Sequence, residues 1–212
     1  MSERFFWLVR EAVGDKADIL FGRHGQFTVS GAKRRARRLA KYDPLWFEEP
    51  TPPERPDLMA EVARYTCIPI ATGERLCTKY EFAQVIETGA ATILQPDLGR
   101  VGGILEAKKI AGMAEARYAQ VAPHLYCGPI AAAANIQLAA CIPNFLILES
   151  IQQMGSFHGK LLKTKIEWAD GYVIPSKAPG LGVELNEEVA LAHPYTGKGL
   201  HLDMAQQPLG YY

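Results

Sequence analysis

Residues Ile68 to Asp97 read IPIATGERLCTKYEFAQVIETGAATILQPD, and the fold is decided in this stretch. The run at 68–73 is short, apolar and β-leaning. Thr78 then offers a helix cap, Lys79–Thr88 carries a helical pattern, and a second apolar run at 91–96 follows. Two strands joined through a helix must lie parallel in one sheet. Both strands end on a side chain that can bind a metal or move a proton, Glu74 and Asp97. Working outward, the same beat recurs in LWFE ending at Glu48, AQVAPH at His124 and FLILE at Glu149. Glu48, Glu74, Asp97, His124 and Glu149 are thus spaced by 26, 23, 27 and 25 residues, each interval the length of one βα unit. In a (β/α) barrel the C-terminal strand ends converge on one mouth, where such enzymes keep their chemistry.

The full alternation places strands at 17–22, 44–48, 68–73, 91–96, 119–124 and 145–149. Helices are expected at Ser30–Tyr42, Pro56–Tyr65, Lys79–Thr88, Gly103–Ala116 and Ile130–Cys141. Phe5–Gly14 reads as the end of a helix stopped by Gly14. Ala32, Ala36, Leu39 and Ala40 make one apolar stripe, so the basic run Lys33, Arg34, Arg35, Arg37, Arg38 and Lys41 is read as a solvated outer face rather than an RNA site. Six strands of eight are found, and a complete barrel takes about 250 residues. From Gly155 onward the rhythm gives way to Gly- and Pro-rich loops and short strands. The expected organisation is a partial barrel over 1–154 and a tail over 155–212 that packs back on the barrel or onto another, capping domain.

With 23 basic and 23 acidic side chains, 48% hydrophobic residues and a pI near 7.0, the composition is that of a soluble globular protein and points to no nucleic-acid or membrane partner. Cys67, Cys77, Cys127 and Cys141 have no CxxC spacing and are expected to be reduced, partly buried thiols. No signal peptide and no apolar run of about eighteen residues is present, so a cytoplasmic location is expected. His158, His193 and His201 lie in the tail without matched partners, and Tyr195-Thr196-Gly197 and Tyr211-Tyr212 suggest no chemistry. Gly102-Gly103 reads as a loop and helix start rather than a phosphate cradle.

WFEEP at Trp46–Pro50, ATGERL at Ala71–Leu76, QPDLGRVGG at Gln95–Gly103, APHL at Ala122–Leu125, LES at Leu148–Ser150 and PGLGVE at Pro179–Glu184 together resemble the enolase superfamily. Within it the chain is similar to the mandelate racemase/muconate lactonizing enzyme group, and most to sugar-acid dehydratases of galactonate dehydratase type. The resemblance implies an α/β fold, a partial TIM-type barrel of the enolase C-terminal domain kind. It also implies that the sequence starts mid-barrel, without two earlier strands and the N-terminal capping domain.

The resemblance assigns roles as well. Glu48 and Glu74 match two of three carboxylates that bind Mg²⁺, a hard cation suited to oxygen ligands. Asp97 and His124 match an Asp–His dyad in which the imidazole takes the proton α to a substrate carboxylate. Glu149 matches a glutamate that hydrogen-bonds the substrate or its enolate. Glu49 is expected to point away as a supporting or structural residue. In LFGRHGQF the sequence departs from the pattern: Gly22 stands where the first metal-binding aspartate is expected, while His24 matches the acid that protonates the departing hydroxide. Lys163-Thr164-Lys165 comes too late to replace a Lys-x-Lys base of an earlier strand.

The implied activity is Mg²⁺-dependent dehydration of a small sugar acid. The alternatives are racemisation or epimerisation by the same enolisation, and a catalytically silent barrel used for binding or assembly. An open barrel has unpaired edges, so the 212-residue chain is expected to be poorly soluble or a homo-oligomer.

Overall fold

The structure, a computed structural model, describes residues 3–150 and 154–194. His201, Tyr195-Thr196-Gly197 and Tyr211-Tyr212 lie outside the described residues. Five strands form one parallel sheet: β1 (Leu20–Gly22), β2 (Trp46–Glu48), β3 (Ile70–Thr72), β4 (Ile93–Leu94) and β5 (Gln120–Val121), in the order β1-β2-β3-β4-β5. Every strand pairs with its successor in sequence, which makes an arc of a (β/α) barrel.

Helix α1 (Glu3–Val13) precedes the sheet. The crossovers carry α2 (Val29–Leu39), α3 (Pro56–Ala63), α4 (Lys79–Thr88), the single turn α5 (Leu98–Val101) followed by α6 (Ile104–Glu115), and α7 (Pro129–Cys141). Thr28 caps α2 by accepting from the Gly31 amide, and Thr78 with Glu81 forms a reciprocal capping box on α4. Neighbouring helices touch in chain order, α2 on α3, α3 on α4, α4 on α6 and α6 on α7.

The pleat of the strands sorts side chains onto two faces. Phe21, Phe47, Ile70, Leu94 and Val121 join Ala32, Ala36, Leu39, Met59, Phe82, Val85 and Ile110 in the core between sheet and helices. Burial of Phe47, Phe82 and Met59, all fully enclosed, contributes about 1.5–3 kcal/mol each. Trp46, Ala71, Ile93 and Ala122 form a separate cluster on the opposite, barrel-interior face. Because Glu48 lies two residues from Trp46, it shares that interior face. The apolar stripe of α2 is buried at Ala32, Ala36 and Leu39. Arg34, Arg37 and Arg38 are exposed, Lys33 pairs with Glu61 at 3.1 Å and Lys41 with Glu3 at 2.7 Å, as a solvated face requires.

Three expectations need correction. The strand expected at 145–149 is reduced to a single bridge between Val121 and Phe145, with Val121 N donating to Asn144 O and Leu146 N to Val121 O. Beyond Leu146 no described strand offers it partners, and the chain runs on as a loop. Cys67, Cys77 and Cys141 are exposed and free; only Cys127 is partly buried. They stand at the ends of elements, where their apolar neighbours take the inward positions. The tail contains helices as well as strands. It holds α8 (Ser156–Lys160), an antiparallel hairpin of β6 (Glu167–Ala169) and β7 (Tyr172–Ile174), and α9 (Glu187–Ala192). Ile166 before the hairpin packs with Leu125 and Ala132. No described helix is long and apolar enough to cross a membrane.

Candidate active site

The residues singled out by their spacing meet at the C-terminal end of the sheet. Glu48 closes β2 and faces the barrel interior. Its Oε2 accepts from Gln95 Nε2 at 2.7 Å and from the Trp46 indole at 3.1 Å. Burial raises its pKa above the ordinary carboxylate value, with those two donors working in the opposite sense. Glu74 follows β3 through Gly73, whose φ of 146° and whose closeness to the Gln95 backbone exclude a side chain: a Cβ there would lie 2.8 Å from it. That close approach turns Glu74 into the mouth.

Asp97 and His124 lie beyond β4 and β5 and are joined by an isolated parallel bridge. His124 Nδ1 is 2.8 Å from Asp97 Oδ2, while Asp97 Oδ1 accepts from the Gly99 amide at 2.7 Å. Although burial pushes the Asp97 pKa up, these hydrogen bonds bring it below its ordinary value. An ionised Asp97 only accepts, so Nδ1 carries a proton, and in the neutral imidazole Nε2 then keeps the lone pair. That lone pair points into the mouth, 3.6 Å from Glu74 Oε2 and 3.9 Å from Glu149 Oε2. Burial disfavours the His124 imidazolium, but the Asp97 hydrogen bond and the Glu149 and Glu74 charges outweigh it and raise the pKa. Glu149 Oε2 accepts from the Leu125 amide at 2.7 Å, which ties the loop after Phe145 to the dyad.

His24 sits in the loop after β1 with φ of 47°, its side chain 55% exposed and its Nε2 3.8 Å from Glu74 Oε1. His24, Glu48 and Glu74 each present one ligand atom, and the three atoms lie within 4.8 Å of one another. Bonds of about 2.0–2.2 Å to one cation place ligand atoms roughly 3–4 Å apart, so the trio, spread over up to 4.8 Å, would draw in by small side-chain movements to hold a divalent metal. Gly22 faces the same space: a Cβ added there would lie 3.4 Å from Glu48 Oε1.

Several supporting contacts were not read from the sequence. Trp46 and Gln95 orient Glu48; Trp46 could have been found from its place two residues earlier on the same strand. Cys127 Sγ lies 3.7 Å from Asp97 Oδ2, on the oxygen that also accepts from His124. Glu49 turns away from the mouth, is fully buried, and is held by Arg75 through Nε at 2.9 Å and Nη2 at 2.8 Å. In the tail, His193 Nδ1 donates to the Val189 carbonyl at 2.8 Å and its ring stands against Phe157, and His158 belongs to α8.

Comparison with known proteins places this geometry in context. The profile of the enolase C-terminal domain-like family matches residues 3–189. D-xylonate dehydratase from Haloferax volcanii is 40% identical over 192 residues, 91% of this chain and 47% of that protein. D-galactonate dehydratase from Ralstonia nicotianae is 38% identical over 191 residues, 86% of this chain and 50% of that protein. A crystal structure from Labrenzia alexandrii DFL-11, provisionally assigned as a mandelate racemase/muconate lactonizing enzyme, matches with a TM-score of 0.92 at 70% identity. It covers 94% of this chain and 51% of that one. The chain spans about half the length of the curated relatives it matches.

Proposed function

The chain belongs to the enolase C-terminal domain-like family, and from that premise we propose that it carries the catalytic centre of a cytoplasmic sugar-acid dehydratase. The observation that supports this best is the Asp97–His124 hydrogen bond of 2.8 Å, which takes up His124 Nδ1 and leaves Nε2, on the side of Glu74 and Glu149, as the atom that exchanges a proton. The same proposal divides the chain into a barrel part, 1–154, and a tail, 155–212.

In this reading Glu48 and Glu74 would hold a divalent cation, Mg²⁺ on the family resemblance. When bound, it supplies Lewis-acid stabilisation of the negative charge that gathers on the substrate carboxylate. His124 Nε2 takes the proton α to that carboxylate, and Asp97 stabilises the imidazolium and keeps the ring oriented. Glu149, tied to the Leu125 amide, borders the substrate on the same side. The hydroxyl on the β-carbon then leaves as water, and the enol product tautomerises to a 2-keto-3-deoxy acid. His24 stands at the rim for one of two tasks. It can hand a proton to the departing hydroxide, the role the resemblance gives it, or offer its Nε2 lone pair to the cation. One nitrogen atom does one or the other.

The test is to incubate the chain with D-galactonate and with D-xylonate in the presence of Mg²⁺ or Mn²⁺, following keto-acid formation and α-proton exchange in D₂O. Keto acid that disappears in His124→Asn supports the dehydratase. Exchange with inversion and no loss of water identifies a racemase or epimerase. Neither signal leaves the silent-barrel reading, which Gly22 favours by withholding a carboxylate from the site.

A further inference from the structure

We infer that His24 is a metal ligand in this chain and that, with Glu48 and Glu74, it builds a site that prefers first-row transition dications such as Mn²⁺ and Co²⁺ to Mg²⁺. The inference rests on the metal-assisted reading above and assigns the third ligand.

Four observations converge. First, the side chain that would complete an all-carboxylate site is missing at Gly22, although that position faces Glu48 Oε1 across 3.4 Å. Second, Glu48 Oε2 is occupied by Gln95 and Trp46, so Oε1 is the oxygen left for a cation, on the Gly22 side of the site. Third, His24, two residues past Gly22 in the loop that follows β1, has a left-handed backbone with φ of 47° and brings a ligand atom into one cluster with Glu48 and Glu74. Fourth, the 3.8 Å between His24 Nε2 and Glu74 Oε1 is too long for a hydrogen bond. It suits two ligands of one ion, and His24, Glu48 and Glu74 lie together within 4.8 Å.

Donor chemistry then sets the preference. Mg²⁺ takes oxygen ligands and keeps its waters, whereas imidazole nitrogen suits the first-row dications that follow it in affinity. Replacing one carboxylate by an imidazole also removes a negative charge, which weakens Mg²⁺ most because its binding is the most purely electrostatic. With its Nε2 lone pair on a cation, His24 has no proton to give from that atom. The proton for the departing hydroxide is then the one His124 gained from the α-carbon, so atoms and charge balance within a single base.

The experiment uses the full chain without substrate. Binding of Mg²⁺, Mn²⁺ and Co²⁺ is measured by titration calorimetry for wild type, His24→Ala, Glu48→Gln and Glu74→Gln. Bound Mn²⁺ is also examined for ¹⁴N coupling by pulsed electron paramagnetic resonance, and folding is checked by circular dichroism. The expected result is Mn²⁺ and Co²⁺ binding at least about tenfold tighter than Mg²⁺, loss of that preference and of the ¹⁴N signal in His24→Ala, and loss of all binding in the two glutamine variants. Unchanged Mn²⁺ affinity in His24→Ala, with binding still lost in Glu48→Gln and Glu74→Gln, overturns the role of His24 while the metal-assisted function stands. Folded wild type that binds none of the three ions overturns both.

Discussion

Gly22 and Glu48 are register partners on adjacent parallel strands, and a side chain at position 22 would start 3.4 Å from Glu48 Oε1. This contact is ordinary van der Waals distance, so a Cβ at position 22 is tolerated beside Glu48. Gly22→Asp is expected to tighten Mg²⁺ binding about tenfold by adding a charged oxygen ligand. Calorimetry on the two proteins checks this; equal Mg²⁺ affinity would show that position 22 does not face the ion.

Asp97→Asn keeps the shape of the dyad but removes the charge that fixes the His124 tautomer. The α-proton exchange rate is expected to fall by about 10²-fold or more, in line with the usual contribution of an oriented base. Metal affinity should change little, because Asp97 contacts His124, Gly99 and Cys127 rather than Glu48 or Glu74. A variant that loses metal and exchange together would place Asp97 in the metal site instead.

In the metal-free chain His124 should titrate above its ordinary value of 6.5. Burial opposes this, and the Asp97 hydrogen bond with the Glu149 and Glu74 charges overcomes it. The folded state therefore holds the proton more tightly than the unfolded state. The stability this contributes is complete below the unfolded pKa and is lost as pH rises through the folded one. Urea midpoints measured without metal should drop across that window, and Asp97→Asn should flatten the drop.

Arg75 holds a fully buried carboxylate, Glu49, that has no other partner among the hydrogen bonds of the described residues. Arg75→Ala strands that charge, and because Arg75 itself is partly exposed the cost is expected near the lower end for a broken buried pair, about 3 kcal/mol. Adding Glu49→Gln should recover part of it. Urea unfolding of the three variants decides this, and an Arg75→Ala chain as stable as wild type would show that Glu49 is protonated in the native state.

The βα rhythm was legible because each of Glu48, Glu74, Asp97 and His124 follows an apolar run whose spacing only a repeated crossover satisfies. Their meeting in space follows from parallel pairing alone. What tertiary contacts decide was not legible. Phe145–Glu149 has the composition of a strand, yet only Phe145 is bridged, since pairing needs a neighbour and composition does not supply one. Gln95 acts on Glu48 across 47 residues of sequence, a contact no local pattern announces. The cysteines beside apolar residues turned outward at Cys67, Cys77 and Cys141, because an adjacent apolar residue says nothing about which side of the chain a thiol occupies.

Strand β1 has β2 as its one partner among the described residues, and Leu20 on that edge is 47% exposed. Phe5, Trp7 and Leu8 of α1 are exposed to a similar degree, so apolar surface accompanies the unpaired backbone groups of the edge. Edges of this kind pair with another chain unless charge or cover prevents it. The 212-residue chain is therefore expected to self-associate, giving a mass above that of one chain by light scattering coupled to gel filtration. Leu20→Lys places a charge on the edge and should shift the distribution toward the monomer. Wild type that elutes as a monodisperse monomer and melts cooperatively would contradict this, and would mean that the β1 edge is protected by other means.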